Sequence, residues 1–273
     1  ISGPIDRANN LLTQIQKQDC HADQESARND TQVGTRNDTK VGSSNDTSNF
    51  DPARLVSGLQ LVLWGLFKKL VIADRLAIYV NTIFSDPGAY SGLSLLLAAY
   101  FFTFQIYCDF SGYTDIAIGT ARLLGYDLVP NFRLPYFATS IVDFWRGWHT
   151  SLSTWFRDYL YIPLGGNRLE SSLRWMMVIM VVFVVSGLWH GAAWTFIIWG
   201  ALHGVFYLMA KWMQKPAQRV SALLGLPGFV GKGLRMLVTF HAVALAWIFF
   251  RARSVEDAWL VIKGIFTSMG GPF

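Results

Sequence analysis

The chain of 273 residues is 52% hydrophobic and only 15% charged, carries 20 Phe and 11 Trp, and has a mean hydropathy of +0.31. That is more apolar surface than one soluble core of this length hides, so the composition points to a polytopic membrane protein. The net charge of +5 is not gathered with aromatic side chains into one basic face, which argues against nucleic acid as a partner.

Ile1-Ser2-Gly3-Pro4-Ile5 offers no initiator Met, charged n-region or signal peptide, and residues 1–16 read as a fragment of a preceding membrane core. Residues 17–49 are polar and repeat an eight-residue unit, Arg28 to Thr35 and then Arg36 to Ser43. Such a tract has too little apolar surface to offset the entropy of ordering it, so a disordered linker or insertion is expected. Low complexity explains its glycosylation sequons at Asn29, Asn37 and Asn45 more simply than a secretory setting does.

Residues 50–273 contain apolar segments near 55–67, 93–108, 175–189, 192–210 and 236–250. Most are shorter than the roughly 20 residues of a clean span and are punctuated by glycine. Strand-like alternation is not evident. The fold class is therefore all-α, with short, tilted and re-entrant helices around an intramembrane tunnel.

Basic residues fall between these segments. Residues 122–174 hold Arg122, Arg133, Arg146, Arg157, Arg168 and Arg174, and residues 211–235 hold Lys211, Lys215, Arg219, Lys232 and Arg235. The positive-inside rule puts both stretches in the cytoplasm. Two short antiparallel spans then fit between them, with His190 near their turn.

Polar chemistry is concentrated between 105 and 168. Asp109 and Asp115 lie beside an apolar run, where a carboxylate must be paired, hydrogen-bonded or neutral. They read as structural partners of Arg, Tyr or helix N-termini rather than proton donors, and a spacing of six does not put them on one helical face. The stretch from Asp143 to Arg168 is dense in Trp, Tyr and Arg, as an interfacial amphipathic helix is. Its Arg146, Arg157 and Arg168 are also candidates to grip the phosphates of a cytosolic donor.

His190 stands in an apolar run from Val181 to Trp194. A titratable group held there usually faces a cavity or pathway inside the protein. His203 is a second candidate for the same site, whereas His241 reads as a packing residue and His21 belongs to the polar tract. No His pair has the helical spacing of a metal site, so no metal is expected. Cys108 reads as a small buried hydrophobe, and no disulfide with Cys20 is assigned.

Five ordered blocks, Ser2-Gly3-Pro4-Ile5, Gly65 to Asp74, Tyr107 to Tyr113, Phe144 to Arg168, and Gly187-Leu188-Trp189-His190-Gly191, resemble the membrane-bound O-acyltransferases. The resemblance is strongest to the bacterial branch that acetylates exopolysaccharides such as alginate, although the family's N-terminal helices are not in this chain. It implies that His190 is the family's central membrane histidine and His149 its second polar position. It also implies a cytoplasmic tunnel for acetyl-CoA as acyl-donor substrate, with no cofactor bound. The opposite face would admit the acceptor, an exported polysaccharide, or an extracytoplasmic acetyltransferase partner, at the bacterial inner (cytoplasmic) membrane.

Acyl transfer to a hydroxyl needs a base and donors for the oxyanion, so His190 is assigned as general base. His149 would position the thioester or donate to the oxyanion. Trp189 and Trp148 would shape an apolar channel, with Asp109, Asp115 and His203 as further tunnel residues. No serine nucleophile elbow is present, which favours direct transfer while leaving a histidine-bound or partner-bound acyl intermediate open. The alternatives are a D-alanyl or longer-chain acyl transferase of the same family, and a transporter.

Overall fold

The computed structural model describes residues 11–16, 51–223 and 227–267. The tract expected to be disordered, 17–49, lies outside the described residues, as do 1–10. A helical turn at 11–16 (α1) is tied to the bundle through Gln14, whose amide donates to the Asp127 carbonyl at 3.0 Å and accepts from the Asp127 N–H at 2.8 Å.

The first long helix starts at α2 (Pro52–Leu66), where the Asp51 carboxylate caps the N–H of Ala53 at 2.9 Å and Pro52 occupies a position needing no donor. It runs on through a π-helical segment, Phe67–Ala73, into α3 (Asp74–Ser85). Beside it, α4 (Gly92–Leu123) runs antiparallel for 32 residues. Glycines set the closeness of this pair. A Cβ on Gly65 would lie 2.5 Å from the Gly112 carbonyl oxygen, and one on Gly119 would lie 2.7 Å from that of Gly58. Small residues let helix backbones meet in this way where lipid offers no hydrophobic drive for association.

The π-helical segment presents two consecutive lysines to α4. Lys68 meets Asp115 at 2.6 Å and Ser111 at 3.0 Å, while Lys69 bridges Asp109 at 2.6 Å and Asp74 at 2.8 Å. The two acids are thus paired, with lysines rather than with the Arg, Tyr or helix N-termini expected. A widened turn is a recurrent device for placing side chains that a regular helix would direct elsewhere.

After α4 the chain passes a 3₁₀ turn at Pro135–Phe137 and two seven-residue helices, α5 (Ile141–Gly147) and α6 (Thr150–Phe156). Ser140 caps α5 by accepting from the Asp143 N–H at 3.1 Å. Too short to cross a bilayer, α5 packs against the next long helices and buries Ile141, Phe144 and Trp148. These are α7 (Ser172–His190), α8 (Trp194–Leu223) and α9 (Gly228–Arg251), followed by α10 (Val255–Thr267).

Among the described residues, five helical stretches are long and apolar enough to cross a membrane: Pro52–Ser85, Gly92–Leu123, Ser172–His190, Trp194–Met213 and Gly228–Arg251. The protein is a multi-pass helical membrane protein, and among the described residues there is no strand. The first two stretches, of 34 and 32 residues, are longer than their apolar segments implied. The charged Lys68, Lys69, Asp109 and Asp115 within them pair with one another and do not end the helix. Short, broken helix occurs where α5 meets α6 and where α7 gives way to α8. Counted as single crossings, the five stretches put Leu123, Ser172, Met213 and Gly228, which border the Arg/Lys-rich stretches, at one end and His190 at the other. At the His190 end, Arg251 donates to Asn81 at 2.6 Å and Arg253 to the Ser85 carbonyl.

Candidate active site

His190 is the last residue of α7, and the chain turns through Gly191 into α8. Its half-buried ring is surrounded by Trp189 at 4.9 Å, Trp199 at 5.1 Å and Phe250 at 5.2 Å between centroids. Gly187 lets this hairpin close, because a Cβ there would strike the Phe196 carbonyl.

His149 is 3% exposed and sits at the break between α5 and α6 with φ 45° and ψ 53°. Left-handed backbone is uncommon for a non-glycine residue, costs on the order of 1 kcal/mol or more, and persists only where surroundings over-determine it. Three hydrogen bonds hold the chain on either side of His149. Thr150 donates from its N–H to the Asn131 carbonyl at 3.0 Å and from its hydroxyl to the Pro130 carbonyl at 2.6 Å, and the Arg133 N–H donates to the Gly147 carbonyl at 2.9 Å. The His149 ring rests edge-on against Phe110 at 4.6 Å, and the Trp189 indole lies 6.3 Å away. Burial first, and then the neighbouring His190, lower the His149 imidazole from 6.5 to about 3.

One indole, Trp189, therefore lies beside both predicted histidines. Trp148 is 3% exposed within the core, against Trp247 at 5.0 Å and Phe144 at 5.6 Å. His203 is fully buried in α8, and Trp199 stands between it and His190, with the His203 ring 5.0 Å from that indole. Neither His203 nitrogen has a protein partner among the described residues.

Between α4 and the chain that follows it lies a cavity of about 250 Å³ lined by Lys68, Tyr107, Ser111, Asp115, Asn131 and Arg133, among others, and Asn131 links it to His149. Of the predicted tunnel residues, Asp115 lines it. None of the three candidate phosphate-binding arginines does: Arg146 pairs with Asp143 at 3.2 Å and Arg157 with Asp158 at 2.7 Å, while Arg168 closes a 3₁₀ turn at Gly166–Arg168. The cavity's basic groups are Lys68 and Arg133, which sequence reasoning did not single out as site residues. For Lys68 a signal existed, since it forms part of a lysine pair inside an apolar stretch. Among the described residues no three His, Cys, Asp or Glu side chains gather as metal ligands.

A multi-pass helical bundle that brings two imidazoles to one indole defines a helical membrane protein with buried polar residues among its helices. The chain belongs to the membrane-bound O-acyltransferase family, whose profile matches residues 23–229. It is 41% identical over 208 residues to a peptidoglycan O-acetyltransferase of Helicobacter pylori, covering 76% of this chain and 38% of that protein. It is 40% identical over 214 residues to a probable alginate O-acetylase of Azotobacter vinelandii, covering 78% and 41%. A teichoic acid D-alanyltransferase of Bacillus subtilis is 29% identical over 217 residues, covering 73% and 51%. The chain thus spans about two fifths of the first two relatives and half of the third.

Proposed function

We propose that the whole protein is an O-acetyltransferase that passes acetyl from cytosolic acetyl-CoA to hydroxyls of an exported glycan at the bacterial inner membrane, directly or through an extracytoplasmic acetyltransferase partner. The observation that carries this reading is the placement of His149 and His190 around Trp189. The names of the 41% and 40% identical relatives favour acetyl as the group and a cell-surface glycan as acceptor.

In this reading His190 takes the proton of the acceptor hydroxyl as its oxygen attacks the thioester carbonyl carbon. The tetrahedral intermediate then expels the thiolate, which recovers a proton, so an ester forms as the thioester breaks. The cavity with Lys68 and Arg133 would admit part of the anionic donor from the Arg/Lys-rich end. The D-alanyltransferase relative keeps transfer of D-alanine as a second reading.

The test uses the full-length protein with His190→Ala at matched membrane abundance. Loss of O-acetyl from the exported polymer is the expected result. Unchanged acetylation would overturn the assigned base, and alanyl ester in place of acetyl would shift the reading to the second transferase.

A further inference from the structure

Asn131 lies in the chain between α4 and α5, is 1% exposed, and is not one of the residues that motif reading assigns to the chemistry. Its amide oxygen receives the backbone N–H of Ser151 at 3.2 Å, the Ser151 hydroxyl at 2.9 Å and a contact from His149 Nδ1 at 3.1 Å. A backbone N–H only donates, so the amide atom facing it is the oxygen and the orientation of the Asn131 amide is determined. An amide oxygen only accepts, and the Ser151 hydroxyl, 3.4 Å from Nδ1, directs its single hydrogen to that same oxygen at 2.9 Å, so this arrangement places the hydrogen on His149 Nδ1. In an imidazole kept neutral by burial, Nε2 then holds the lone pair.

We propose that Asn131 is a positioning residue that locks His149 as the Nδ1–H tautomer and so makes Nε2 a proton acceptor in the acyl-transfer site. This rests on the transferase reading and deepens it, for it changes what His149 can do. A neutral His149 held this way cannot donate from Nε2 to an oxyanion, one of the two roles expected of it from the chemistry of acyl transfer. It can accept a hydrogen bond from a hydroxyl or thiol at Nε2, beside the Trp189 ring that it shares with His190. The Asn131 backbone adds to the same task, since its carbonyl accepts from Thr150 and holds the left-handed turn that aims the ring.

Two measurements on the full-length protein test this. The first reads the tautomer itself: 15N spectra of histidine-labelled protein in lipid, with the His149 signals identified by their loss in His149→Gln. A protonated Nδ1 and a bare Nε2 at neutral pH are expected, and a protonated Nε2 would overturn the proposal. This holds whether or not acetyl transfer is the reaction, so it separates the proposal from the functional reading. The second compares Asn131→Leu with Asn131→Asp at equal membrane abundance. Asp keeps an acceptor for Nδ1–H, so it should retain kcat within about tenfold, whereas Leu should lose 100-fold or more in kcat at little-changed KM for the donor, the scale of one general-base contribution. Equal loss in both variants, or none in Leu, would overturn it.

Discussion

Lys68 and Asp115 meet at 2.6 Å between the π-helical segment and α4, with side chains only 10% and 21% exposed, and both line the cavity beside His149. Removing one member of a buried pair leaves the other charge uncompensated, a cost of about 3–5 kcal/mol, while replacing both by apolar groups is often close to neutral. Lys68→Met or Asp115→Leu alone should therefore sharply lower thermal stability in detergent, and the double variant should recover most of it. Additive losses in the double variant would show that the two charges act independently.

The α7–α8 hairpin has little room for side chains at its crossing. A Cβ on Gly187 would strike the Phe196 carbonyl, and one on Gly200 the Phe183 carbonyl. Either glycine changed to Ala should push the helices apart, move His190 away from Trp199 and cut transfer at least tenfold, because displacements of about 1 Å from a productive geometry carry such costs. Gly233 in α9 is the control. A Cβ there meets nothing within 4 Å, so Gly233→Ala should leave activity intact and gain up to about 1 kcal/mol from helix propensity. Turnover and thermal midpoints of the three variants check this together.

The His149 imidazole takes up a proton only near pH 3 in the folded protein, against 6.5 as its ordinary value. Above 6.5 it is neutral in both states and contributes no pH dependence. As the pH falls from 6.5 towards 3 the unfolded chain binds a proton that the folded form refuses, so stability drops across that window. His149→Asn removes this group, and its thermal midpoint should fall less steeply than that of the natural protein between pH 6.5 and 4. Parallel slopes would contradict a buried, neutral His149.

Much of this architecture was legible from residue order, because apolar segments must be helical in lipid and His190 is conspicuous in one of them. The lengths of the first two spans were not, because charges at Lys68, Lys69, Asp109 and Asp115 interrupt the apolar pattern while satisfying one another inside the bundle. His149 drew attention through its motif, yet Asn131, 18 positions upstream, carries no local signal. Its role exists only once the chain after α4 folds back on the α5–α6 break. The arginines of the Asp143 to Arg168 stretch do not line this cavity. Density along the chain does not determine which cations face a cavity, and Arg133 and Lys68 do so instead.

His203 separates packing from chemistry most cleanly. It is fully buried, both ring nitrogens lack a protein partner among the described residues, and the Trp199 indole stands between it and His190. A buried polar atom without a partner costs about 1–3 kcal/mol, and an apolar replacement of similar shape avoids that cost. His203→Leu should therefore preserve the proposed acetyl transfer and raise thermal stability, in contrast to His190→Ala, which should abolish that transfer at unchanged abundance. The decisive comparison is activity against melting temperature for the two variants in the full-length protein. If His203→Leu stays folded yet loses transfer, the reacting groups extend past Trp199 and His203 takes part in moving the proton.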